Sequence, residues 1–147
     1  MIHRINYVSV NGPAIADMAQ AKSQITSIAP RMRAMIELRV SQINGCAYCV
    51  DLHSTEARDA DETRQRLDCL TVWRDVAFFS DAEKAALALA EAITQVAEQG
   101  APDDLYAALL THFTELQIVD LTLIIAQMNA WNRVAIGFGH GPDTRDE

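Results

Sequence analysis

Apolar residues recur along this chain at the three-and-four spacing of an α-helix, and no segment alternates convincingly at period two over several residues. The first helical run is expected over residues 14–28, where Ile15, Met18, Ile25 and Ile28 fall near helical spacing; the turn signal Asn11-Gly12-Pro13 precedes it and Pro30 interrupts it. A second run, 31–43, carries the stripe Met32, Met35, Ile36, Val40 and Ile43 and breaks at Asn44-Gly45. A third begins near Cys46 and reaches about residue 60, where Asp61 stands in for the glycine that more comfortably ends a helix. Leu67, Leu70 and Trp73 mark a fourth, 62–74. Ser80 with Glu83 reads as a capping box opening a long helix to about residue 99, closed by Gly100. Pro102 suits the first turn of the next helix, to about residue 112. Thr114 with Gln117 is a second capping box, opening a last helix to about residue 136 that is apolar enough to be buried on most faces. From Gly137 the chain holds three glycines and a proline, the pattern of a loose or partner-bound tail.

These elements predict an all-α, single-domain helical bundle spanning 1–147, with its core over about 14–136. Half of the residues are hydrophobic, enough to bury a core at this length, and sparse Gly and Pro favour helices. Alanines 85, 86, 88, 90 and 92 permit close packing within the subunit or between subunits. The net charge of −8 argues against a nucleic-acid groove or an anionic membrane surface and is accounted for by solubility. Residues 1–12 contain no long apolar run, and no stretch approaches ~18 uninterrupted apolar residues, so neither a signal peptide nor a membrane span is expected. The expected location is cytoplasmic. Three cysteines are too few for a secreted disulfide framework, and in a reducing compartment a close pair points to catalysis or metal binding.

That pair is Cys46-Ala-Tyr-Cys49, with His53 one turn beyond Cys49. Two cysteines three apart at a helix start can form an exchangeable disulfide, and the helix amides and dipole favour a thiolate there. Cys49 and His53 are neighbours at i and i+4, so the imidazole can take or relay the thiol proton. Cys46 lies two turns from His53 on the same stripe. Glu37, on the preceding helix, can orient His53 or accept a proton if the two helices pack as a hairpin. Tyr48, between the cysteines, can donate a hydrogen bond to a peroxide or a bound substrate. Each residue has a plainer alternative. The pair is also half of a zinc site, to be closed by His53 and one of Cys69, His112 or His140, although no second Cys-x-x-Cys or His-x-x-x-His exists. His53 alone could be a satisfied surface histidine, Glu37 could pair with Arg33 or Arg39, and Tyr48 could be core. Cys69 reads as a small buried residue, and Trp131-Asn132-Arg133 as core packing before a wall of the pocket or of an interface. His3, His112 and His140 carry no assignment. The sequence shows no cofactor motif.

The run Leu38-Arg-Val-Ser-Gln-Ile-Asn-Gly-Cys46-Ala-Tyr-Cys49-Val-Asp-Leu-His53 closely resembles the alkylhydroperoxidase D (AhpD)-like, carboxymuconolactone decarboxylase superfamily. The likeness continues through 85–94 and from Asp120 to Arg133, and covers most of the chain, from about residue 30 to 136. It implies an all-helical fold assembled as a homo-oligomer, commonly a trimer or hexamer, and a thiol peroxidase activity. In the scheme it implies, Cys49 attacks the peroxide and becomes a sulfenic acid, Cys46 resolves it as a disulfide, and Glu37 and His53 relay the proton. An external dithiol, on a lipoylated or thioredoxin-like protein, then restores the pair. Two departures stand out: better-studied peroxidases carry His where this chain has Tyr48, and their glutamate sits a turn further upstream than Glu37. Retention of both cysteines argues against the decarboxylase branch. A general disulfide reductase and a redox-sensing oligomer without turnover are the other readings.

Overall fold

The computed structural model describes residues 3–145, and among these there are helices, turns and loops but no strand. The helices are α1 (Tyr7–Val10), α2 (Gly12–Gln20), α3 (Pro30–Asn44), α4 (Ala47–Asp59), α5 (Arg64–Asp68), α6 (Asp81–Thr94), α7 (Val96–Gln99), α8 (Asp103–His112) and α9 (Glu115–Phe138). Helix α3 is the centre of the bundle and packs against α4, α6 and α9. Five consecutive residues, Ala34 to Leu38, are buried, which means that this helix is enclosed on every side. Leu87 and Ala90 of α6 and Leu121, Ile124 and Ile125 of α9 close around it.

The end signals work as their chemistry requires. Both capping boxes form, Ser80 with Glu83 and Thr114 with Gln117. Asp61 adopts φ +64°, the left-handed conformation a short polar side chain tolerates. Pro30 opens α3 at its first turn and does not merely interrupt the chain.

Four expectations are corrected. The helix expected over 14–28 stops at Gln20 and continues only as a 3₁₀ turn, Ala21–Gln24. Ile25 and Ile28 do reach the core, but from irregular backbone. Asp120 holds that backbone by accepting bonds from the Ser27 amide (3.1 Å) and hydroxyl (2.7 Å), while Arg33 donates to the Ile25 carbonyl (3.2 Å). The helix expected over 62–74 is split: Thr63 caps the short α5, and a 3₁₀ segment with non-helical Val72 follows. The long helix expected to residue 99 breaks at Gln95, leaving α7 as a separate turn. Finally, α9 is not buried on most faces, because Leu116, Val119, Leu123 and Ile136 are exposed.

A buried ionic junction ties α6 to α3 and to the 3₁₀ segment. Glu91 accepts from Arg39 (2.8 Å), from the Trp73 indole (2.8 Å) and from Arg74. Burial pushes its carboxyl up, but the bonds from Trp73, Arg74 and Arg39 outweigh that and hold it below the usual carboxylate range. Glu62 is lowered in the same way: burial opposes, and Arg66, the Thr63 amide and Arg31 prevail.

Replacing Glu91 with Gln leaves Arg39 without its buried counter-charge, and should cost about 3 kcal/mol, read from the urea midpoint followed by tryptophan fluorescence. The pH dependence has a definite sign. Because both carboxylates titrate lower in the native state, the unfolded chain binds protons first. Their contribution is therefore whole above about pH 4.3 and drains away as pH falls through the lower native values. Acid titration of the Glu91→Gln protein should show a shallower loss than that of the parent.

Candidate functional site

The α3–α4 hairpin is set by Gly45, whose φ of +69° ends α3 and turns the chain back at once. The Cys46 amide then donates to the Ser41 carbonyl (3.1 Å), which fixes Cys46 as the N-cap of α4. Ser41 is itself braced: its hydroxyl donates to the Glu37 carbonyl (2.7 Å) and accepts from Asn132 of α9 (3.1 Å). Asn132 is fully buried, so within the run Trp131-Asn132-Arg133 this residue is core, Arg133 is exposed and Trp131 lines a cavity.

Cys46 and Cys49 are joined as a disulfide with Cα atoms 5.3 Å apart. Both are almost wholly enclosed, at 1% and 2% exposure. The Cys49 amide points at the Cys46 sulfur (3.4 Å), so the sulfurs lie against the open amides of the α4 N-terminus.

One turn along, His53 is 5% exposed, which removes the surface-histidine alternative. Its Nδ1 lies 2.8 Å from a Glu56 oxygen and 3.4 Å from a Glu37 oxygen. The hairpin thus brings the Glu37 carboxylate to the histidine. The other oxygen of Glu37 accepts from Arg33 (3.0 Å), so the ion-pair alternative holds as well, while Arg39 goes to Glu91. Carboxylates only accept, so Nδ1 is the donating nitrogen, and in the neutral ring Nε2 is the basic one. Glu56 is held below the usual carboxylate range, chiefly by its bond from His53, with burial opposing. Sequence reasoning passed over Glu56, although its i+3 spacing from His53 was a usable signal.

A cavity of about 370 Å³ opens beside these groups. Cys49, His53, Glu37, Glu56 and Tyr48 line it; Cys46 does not and lies behind its partner sulfur. Apolar wall comes from Leu52, Met128 and Trp131, and the near side from α1–α2 through Tyr7, Val8 and Ile15. Tyr48 is stacked on His140, with ring centroids 4.0 Å apart. Tyr7 shares a 2.9 Å hydrogen bond with His140 Nδ1, and burial, then Tyr48, pushes the Tyr7 phenol up. Tyr7 carries no reading in the sequence and His140 entered only as a possible fourth zinc ligand, because the two are 133 positions apart.

The tail expected to be loose or partner-bound is packed on its own chain as far as residue 145, and residues 146–147 lie outside the described residues. The Gly139 turn (φ +68°) seats His140, Arg145 bonds to Thr55 (2.9 Å) and Asp51, and the Arg4 amide donates to the Phe138 carbonyl (2.8 Å). Cys69 is half-buried and not enclosed. Among the described residues, the ligating atoms that converge are those of Glu37, His53 and Glu56, within 4.8 Å of one another. The cysteines form no such group with Cys69, His112 or His140.

Residues 13–92 match the carboxymuconolactone decarboxylase family. The uncharacterized protein YdfG of Bacillus subtilis (strain 168) is 42% identical over 142 residues, covering 95% of this chain and 97% of that protein. Among solved structures, ATU0492 of Agrobacterium tumefaciens, a protein of unknown function provisionally assigned to antioxidant defence as AhpD, superposes with a TM-score of 0.94. It shares 35% identity, covering 98% of this chain and 100% of that one. The debrominase Bmp8 is 19% identical at a TM-score of 0.74, covering 89% of this chain and 70% of its own, and shares the fold alone.

The geometry makes Gly45 the residue that aims Cys46. Nothing lies within 4 Å of a Cβ added there, so Gly45→Ala pays only for the left-handed backbone. It should lose about 1–2 kcal/mol in urea unfolding, and Gly45→Asn should lose less.

Proposed function

The chain belongs to the carboxymuconolactone decarboxylase family, on its AhpD-like side, and from that premise we propose that it is an antioxidant thiol peroxidase acting on alkyl hydroperoxides or hydrogen peroxide. The observation that carries the reading is the placement of Cys49 in one cavity wall with a histidine whose Nδ1 is hydrogen-bonded to Glu56 and lies 3.4 Å from Glu37, while Cys46 waits behind it at disulfide distance.

In this scheme Nε2 of His53 takes the Cys49 proton, and Glu37 and Glu56 stabilise the imidazolium that results. The thiolate, favoured by the α4 amides, attacks the outer peroxide oxygen. The O–O bond breaks, Cys49 becomes a sulfenic acid, and the alkoxide leaves as an alcohol after gaining a proton. The Cys46 thiol then attacks that sulfur, water departs, and the disulfide forms. Two electrons and two protons from an external dithiol reset the pair. The enclosure of both sulfurs favours a slim reductant, such as a lipoyl arm, over a thioredoxin-like surface, and it disfavours folded proteins as disulfide substrates. Glu37 lies 3.4 Å from His53 Nδ1 despite its offset from the usual glutamate position, which supports a relay through this residue. No single described helix is long and apolar enough to cross a membrane, and a cytoplasmic setting supplies the reducing partners the cycle needs. The exposed apolar residues Leu116, Val119 and Leu123 of α9, with Tyr106 and Leu110 of α8, support assembly as a homo-oligomer, a trimer or hexamer.

Peroxide added to the reduced protein should remove about two mass units, mapped to Cys46 and Cys49. Cys49→Ser should abolish peroxide-dependent oxidation of a supplied dithiol, and Cys46→Ser should leave a sulfenic acid that dimedone captures. Full activity in Cys49→Ser would overturn the assignment. A wild-type disulfide that forms with no catalytic rate would favour redox sensing instead.

A further inference from the structure

Peroxide cleavage poses two proton problems at one cavity. The attacking thiol must lose a proton, and the departing alkoxide, a poor leaving group, must gain one. The Arg33–Glu37–His53–Glu56 chain suits the first task, because its carboxylates stabilise a positive ring. A second cluster on the same cavity has a different character. There, His140 Nδ1 meets a phenol, Tyr7, at 2.9 Å, and among the described residues no carboxylate bonds to that nitrogen. The imidazole is stacked on Tyr48, the neighbour of Cys49 in sequence, and His3 is the other ring beside it, with centroids 5.7 Å apart. Tyr7 also rests on Phe138, at 5.3 Å between centroids.

The proton count in this pair is fixed by its chemistry. A neutral imidazole and a phenol hold two protons between them, and the shared hydrogen bond uses one. If the phenol donates to Nδ1, the other proton is on Nε2; if Nδ1 donates, it is on the phenol oxygen. In either tautomer one proton remains to be given. We propose that Tyr7 and His140 form the acid that protonates the departing alkoxide, leaving His53 to act as the base. The inference rests on the peroxidase reading. As the O–O bond breaks, Nε2–H passes its proton to the alkoxide and the phenol proton moves to Nδ1. The products are the alcohol, the Cys49 sulfenic acid and a Tyr7 phenolate. The proton that His53 took from Cys49 is released and restores the phenol, so the cycle balances. A phenol is protonated across the neutral range in any case, and burial shifts Tyr7 further in that direction.

The test is a single-turnover comparison of two oxidants with reduced protein: tert-butyl hydroperoxide, which expels an alkoxide, and peracetic acid, which expels a carboxylate that needs no acid. Tyr7→Phe keeps the ring packing and removes the proton; His140→Asn removes Nε2. Each should slow the alkoxide reaction about 100-fold and leave the peracid reaction within a few-fold of wild type. Iodoacetamide alkylation of reduced Cys49 should keep its wild-type rate, because thiolate formation is untouched. Equal slowing with both oxidants, or a changed alkylation rate, would mean a structural role and overturn the proposal, as would no slowing with either. Wild-type protein inert to both oxidants would overturn the peroxidase reading and this inference together.

Discussion

A carboxylate in the middle of an enclosed helix has to be answered from all sides, and Glu37 is that group. Burying an unpaired charge is far costlier than any single packing contact in the bundle can offset. Glu37 is 6% exposed, and its two oxygens are divided between Arg33 on its own helix and His53 on the next. The requirement fixes how α4 must lie on α3, and with it the place of the cysteines one and two turns before the histidine. Ser41 and Asn132 extend the same demand to α9. The polar seam inside the bundle and the candidate site are thus one construction.

Around that seam the chain divides its labour by position. The central helices supply sulfur, histidine and carboxylate from rigid elements. The two peripheral segments, before Pro30 and after Phe138, supply the near wall and the aromatic stack. Rigid placement of the reacting groups with a wall built from less deeply packed chain suits a site that must admit a small oxidant, and later a reductant, to buried sulfurs.

Much of this was legible in the sequence, for local reasons. The two capping boxes, the left-handed Asp61 and the Gly45 turn depend on residues within four positions of one another. The Cys46–Cys49–His53 stripe is likewise short-range. Ile25 and Ile28 were misread because spacing reports which residues seek the core, not the backbone that delivers them; Asp120 makes that choice from 93 positions away. The outer face of α9 was misread because average apolarity does not separate burial within a subunit from an exposed apolar surface. Glu56 was within reach of helix spacing. Tyr7 and His140 were not, since neither has a local partner that marks it.

The Tyr7–His140 hydrogen bond has a meaning beyond its chemistry. Closing a loop across 133 positions carries an entropic cost of about 4 kcal/mol plus a constant, and it is recovered only when the intervening helices have already brought the ends together. Contacts of such long range belong late in folding. The cavity is therefore finished last. A partly folded chain holds its cysteines on an early, local hairpin but lacks the wall and stack that complete their surroundings, so maturation of the fold and completion of the reactive centre coincide.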